Sequence, residues 1–157
     1  MVLDLTRAAA LLAVLGTAVV YGTEVFCAIV LRPALASVDD RALVAVTGNV
    51  HRYGDRRMPV PWVLGFFAAA VSGVLAGLTA HWTQAIAAGA ALILLLVWLV
   101  LYTQVSAPIN RQLTAAAGAG QPPPNGRALQ AQWDSIIGAR AVLQGLALVA
   151  LGVALMI

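Results

Sequence analysis

The chain has 157 residues, 62% of them hydrophobic and 10% charged, whereas a soluble domain carries about 45–50% apolar and about 25% charged residues. That balance describes a chain solvated mainly by lipid. Its net charge of +3, with arginine as the only basic residue besides histidine, reads as attraction to a bilayer surface and not to nucleic acid, and the single cysteine, Cys27, excludes an intramolecular disulfide, a dithiol relay or a thiolate cluster.

Crossing a hydrocarbon core takes about 20 predominantly apolar residues, and four segments reach that length. The first covers residues 8–31 and is closed by Arg32-Pro33. It is longer than the apolar core of a cleaved leader and contains Glu24, so it reads as a retained helix. The next connection, "LASVDDRALVAVTGNVHRYGD", has Leu43, Val46 and Val50 on one helix face after an Asp39-Asp40 start, which predicts a short helix lying on or dipping into the membrane face. The second span covers residues 62–80, opened by Pro59 and Pro61, and the third covers residues 85–105, with Pro108 beyond it. Only "HWTQ" joins these two, and His81 and Trp82 there suit an interfacial belt. The stretch from Gly118 to Gly126 contains "QPPPNG" and should be irregular and exposed. The fourth span covers residues 136–157.

The expected architecture is all-α: one integral membrane domain over residues 1–157, folded as an antiparallel four-helix bundle with the short extra helix between spans one and two. Arg32, Arg41, Arg52, Arg56 and Arg57 in the first long loop, with Arg111 and Arg127 in the second, make both loops cytoplasmic by the positive-inside rule and leave both termini outside. Ala69, Gly73 and Gly77 on span two, and Gly138, Gly145 and Gly152 with Ala141 on span four, read as packing seams. Homo-oligomerisation along such seams is a further expectation.

Ionisable and polar side chains at membrane depth are expensive unless paired, which makes them the candidate site. Glu24 shares a stripe with Thr17 and Tyr21, the three falling within about 60° on a helical wheel. Trp133, Arg140 and Gln144 fall within about 40° of one another on span four, and Arg140 either snorkels to the interface or points into the bundle, where it is the natural partner for Glu24. Thr103, Ser106 and Asn110 share a face beside Pro108, where backbone groups are freed. Arg52, Arg56 and Arg57 anchor the loop, while Cys27 reads as a small hydrophobe. His51 approaches the same end as these groups. It could act as a general base, or share a metal ion with Glu24, or simply hydrogen-bond at the interface. No cofactor motif occurs and no cofactor is predicted. The sequence has no HxxxH or ExxH pair, so a metal ion at Glu24 and His51, kept open, would need further oxygen ligands from Asp55, Asn110 or Asp134.

Four stretches, "YGTEVFCAIVLRPAL", "HRYGDRRMPVPW", "YTQVSAPINRQL" and "ALQAQWDSIIGARAVLQGLAL", occur in order along nearly the whole chain. Together they resemble the anthrone oxygenase-like family of small four-helix membrane proteins, whose characterised members oxidise an anthrone to an anthraquinone with molecular oxygen. The resemblance implies roles for Asn110, Trp133, Asp134 and Arg140, while Glu24 and His51 are added on physical grounds. The expected activity is base-assisted oxidation of a lipophilic anthrone- or hydroquinone-type aromatic. Glu24, His51, Asn110 and Arg140 would be catalytic, and Tyr21, Trp133, Asp134 and Gln144 would bind substrate. The competing expectation is a non-catalytic membrane protein that binds a quinone, a lipid or a metal ion.

Overall fold

The computed structural model describes residues 2–157. Seven α-helices occur among them: α1 (Val2–Phe26), α2 (Arg32–Ala36), α3 (Asp40–Arg57), α4 (Pro59–Leu78), α5 (Trp82–Leu101), α6 (Ala107–Ala119) and α7 (Gly126–Met156). Two π-helical turns, Cys27–Leu31 and Tyr102–Ser106, join α1 to α2 and α5 to α6. The elements therefore form four long runs, of 35, 39, 38 and 31 residues, each with a stretch apolar enough to cross a membrane. A run of 35 residues is on the order of 50 Å long, well beyond a hydrocarbon core of about 30 Å.

The runs outreach the apolar spans because both long connections are mostly helix. The short helix expected between spans one and two is instead the 18-residue α3. It continues into α4 through Met58 and packs against α6. Asp39 starts it as an N-cap, its carboxylate accepting the Ala42 N–H at 2.7 Å. Thr114 of α6 donates to the Gly48 carbonyl of α3 at 3.1 Å. Two helices side by side bury apolar faces that two loops would leave wet, and Leu43, Val44, Ile109 and Leu113 form part of that shared core. Only residues 120–125 stay irregular as expected. Gly120, at φ 68°, ends α6 in the left-handed conformation that glycine adopts without strain.

Around the bundle α1 packs on α4, α4 on α5, α5 on α7, and α7 closes the ring on α1. The two tightest approaches are not on the expected glycine stripes: a Cβ on Gly48 of α3 would strike the Leu113 carbonyl oxygen of α6. A Cβ on Gly16 of α1 would lie 2.6 Å from the Pro61 carbonyl oxygen and 2.8 Å from the Gly65 Cα of α4, so only glycine fits there. Gly73 does meet Ala88 of α5, but Gly77, Gly138 and Gly152 face open space, and Gly145 packs beneath the Tyr21 ring. The buried face of α7 is instead Gln144, Ala147, Leu151 and Ala154.

Three of the four runs carry proline at one level. Pro33 and Pro108 lack an N–H and crowd the carbonyl four residues back. The chain responds one turn earlier: Arg32 N–H bonds to the Cys27 carbonyl and Ala107 N–H to the Tyr102 carbonyl. These i→i+5 bonds are the mark of π turns, which occur often at functional sites. Pro59 opens α4 where no helical N–H is required. The fourth run, α7, passes this level unbroken.

Candidate functional site

At the proline level the four runs enclose a cavity of about 160 Å³. Its wall includes Glu24 and Cys27 from the first run, His51, Asp55 and Trp62 from the second, Trp98, Tyr102 and Asn110 from the third, and Gln130, Trp133 and Arg140 from α7.

Local geometry explains this convergence. Trp133 and Arg140 are seven residues apart on α7, two turns on one face. Trp98, Tyr102, Ser106 and Asn110 follow at intervals of four. In a regular α-helix each such step drifts by about 40°, and the wider π turn at Tyr102–Ser106 takes up part of that drift. Trp98, Ser106 and Asn110 are consequently all buried. Thr103, expected to share this face, points outward and donates to the carbonyls of Leu99 and Val100 at 2.9 and 3.1 Å.

Arg140 is the centre of the site, with only 5% of its surface exposed. Its Nη2 donates to Glu24 Oε1, itself on a residue 4% exposed, and its Nη1 donates to Ser106 Oγ at 2.5 Å. Three aromatic rings surround the guanidinium carbon, with centres at 5.3 Å (Trp98), 5.5 Å (Tyr102) and 5.4 Å (Trp133). Ion pairing and cation–π attraction together replace the water that the buried charge has lost. A second polar unit stands beside it. Asp55 Oδ1 accepts the Tyr102 hydroxyl at 2.8 Å and the Asn110 amide at 2.8 Å. His51 lies against Trp133 with ring centres 5.4 Å apart. Although His51 is 7% exposed, its Nε2 has no hydrogen-bond partner among the described residues.

Glu24, His51, Asn110, Trp133 and Arg140 are thus gathered around one cavity, as the helical-wheel phases lead one to expect. Tyr21, Asp134 and Gln144 line no part of it. Tyr21 packs over Gly145 between α1 and α7. Asp134, one residue and so about 100° round α7 from Trp133, accepts from Gln130 at 2.9 Å and pairs loosely with Arg32 at 3.9 Å. Gln144 is fully buried one turn beyond Arg140. Sequence reasoning gave no place to Trp98, Tyr102 and Trp62, although the first two precede Ser106 and Asn110 at the same four-residue interval. The rings of Trp62, Trp98 and Tyr102 stack in succession, with centres 5.9 and 5.4 Å apart.

For a metal ion shared by Glu24 and His51 the donor set is short. Among the described residues no three of histidine, cysteine, aspartate and glutamate gather to hold one. Arg140 and the Tyr102–Asn110 pair already engage the two carboxylates of the cavity. What the arrangement offers is a flat aromatic slot, a buried positive charge and an imidazole nitrogen free to accept a proton. No protein-family model, no curated protein and no solved structure matches this chain.

Proposed function

We propose that the chain is a membrane-embedded oxygenase-like protein that binds a lipophilic, electron-rich aromatic of anthrone or hydroquinone type and oxidises it with molecular oxygen. The single observation carrying this reading is the unpartnered His51 Nε2 inside the cavity that also holds the aromatic-caged Arg140. In it, the substrate occupies the cavity lined by the rings of Trp62, Trp98 and Trp133. His51 Nε2 takes the proton from the acidic C–H or O–H, and Arg140 with Asn110 steadies the oxyanion that forms. Glu24 serves as counter-charge, keeping Arg140 in the cavity. For an anthrone the carbanion gives its electrons to dioxygen. One oxygen atom stays on that carbon as the new carbonyl, and the other leaves as water with the two hydrogens that the carbon has lost. The resemblance to the anthrone oxygenase-like family supports the same chemistry, and the arginines of the two long connections support a cytoplasmic cavity end with both termini outside.

The test is oxygen uptake by the protein in lipid nanodiscs with an anthrone and a hydroquinone as substrates. Removing a positioned base costs about 10²- to 10⁴-fold in rate, so His51→Ala should lose turnover by that factor while keeping its helical circular dichroism. Full activity in His51→Ala would remove the base assignment. A second reading, binding without turnover, is favoured by the neutralisation of Arg140 within the protein itself. Tight binding of such an aromatic with no oxygen uptake would select it.

A further inference from the structure

The cavity has a mouth, and its chemistry differs from that of its floor. Val50, Gly54 and Met58 follow at intervals of four along α3 and its junction with α4, and all three reach the cavity wall. Thr23, Cys27 and Leu31 of the first run belong to the same wall. Between these two rows the helices barely meet, because α3 packs on α6 and not on α1. The middle position of the α3 row is a glycine, and a Cβ added to it would meet no atom within 4 Å. One weak polar link joins the rows, the Thr23 hydroxyl donating to Met58 Sδ at 3.9 Å. The outer surface beside the gap is apolar on one side, where Val30 is 46% exposed, Val46 44% and Val50 42%, and polar at the α4 end of α3, where Arg56 and Arg57 are exposed and Arg57 lies over the Tyr53 ring. The valine side of that border suits acyl chains, and the arginines beside it suit lipid headgroups.

Size narrows what can enter. A cavity of about 160 Å³ is close to the engineered apolar cavity of about 150 Å³ that takes up benzene. It encloses one six-membered ring, and a three-ring compound would leave rings outside among the lipids. The polar floor of His51, Asn110 and Arg140 suits oxygen substituents on that ring.

We propose that the occupant is a single-ring quinone or hydroquinone headgroup with a hydrophobic tail, which enters sideways from the bilayer through the gap at Gly54 while its tail stays in the lipid. The proposal rests on reading the cavity as an aromatic-binding site, and it names the substrate class and the route.

Three of the four tryptophans, Trp62, Trp98 and Trp133, line the cavity, and a quinone quenches indole fluorescence on contact. Titrating a short-tailed benzoquinone into nanodisc-embedded protein should give a saturable quench above the collisional background. Gly54→Phe should weaken it at least tenfold and Gly54→Val less, because each side chain grows into open space. Gly77→Phe, equally unobstructed but far from the cavity, should leave it unchanged. An anthrone without a tail should displace the quinone only at concentrations at least tenfold higher. The proposal is overturned by the absence of a saturable quench in the wild type, by equal affinity in folded Gly54→Phe and wild type, or by an anthrone that competes better than the quinone. Should Gly54→Phe fail to fold, Gly54→Val decides in the same way. Saturable quenching without oxygen uptake would sink the oxidation reading and leave this one standing, and the reverse outcome would do the opposite.

Discussion

The two ends of the bundle are built on different rules. Near the Gly16–Gly65 contact the core is made of small side chains, Ala13, Ala68, Ala69, Ala91 and Ala147 with Leu95 and Leu151. Backbones there come close enough that a methyl group added at Gly16 would strike a carbonyl oxygen, and at the other end Gly48 meets the Leu113 carbonyl as closely. At the other end the core residues are large: Leu35, Leu43, Ile109, Leu113, Trp133 and Ile137. Between the two, prolines and π turns interrupt three of the four runs, and the helices part around the cavity. Close packing by glycine and alanine provides cohesion in a bilayer, where no hydrophobic force drives helices together. The price of a polar cavity is that its own residues must supply the cohesion, which the Glu24–Arg140–Ser106 network does.

That contrast can be broken most forcefully at Arg140. Arg140→Met leaves Glu24 buried without a counter-charge, and losing one partner of a buried pair costs about 3–5 kcal/mol. A large fall in the thermal unfolding temperature in detergent is expected. The double variant Glu24→Leu/Arg140→Met should recover most of it, and a double variant no more stable than Arg140→Met would show that the network does not hold this end together. Next in size is Gly16→Leu, which overpacks the tight end. Such insertions cost about 1–3 kcal/mol, and the quinone quench should survive in whatever protein stays folded. Loss of the quench at unchanged stability would mean that the two ends are not independent. The smallest effect is expected at Gly138→Ala on α7, where a Cβ meets nothing within 4 Å. Replacing a mid-helix glycine by alanine should raise stability by about 0.5–1 kcal/mol, read as a small upward shift in unfolding temperature. A decrease there would point to a contact at this surface in the folded protein.

Much of the fold was legible because lipid solvation is a one-dimensional constraint: runs of apolar residues, their prolines and the intervening arginines are visible without any knowledge of contacts. Helical phase was legible too. Glu24 and Arg140 each had to turn inward, and they meet. The rest depended on neighbours. Asp134 sits beside Trp133 in the chain, yet one residue of helical rotation carries it out of the cavity to Gln130 and Arg32. Tyr21 lies on the Glu24 stripe, yet Gly145 offers its ring a flat seat between helices. Trp98 and Tyr102 look like ordinary apolar and interfacial residues until the π turn keeps them in phase with Ser106 and Asn110. The glycine stripes of spans two and four promised seams, but a missing side chain marks a close approach only where another backbone arrives.

The amino-acid sequence by itself determined that this is an all-α chain of four apolar helical runs with a few polar groups forced inward, because hydropathy and helical period act along a single chain. Only the tertiary structure decided that both long connections continue as helices, that Gly16 meets Gly65 and Gly48 meets Leu113 in close contact, and that His51, Asp55, Tyr102 and Arg140 share one cavity with a gap beside Gly54. Those outcomes depend on which helix lies against which, and that follows from packing between residues far apart in the chain.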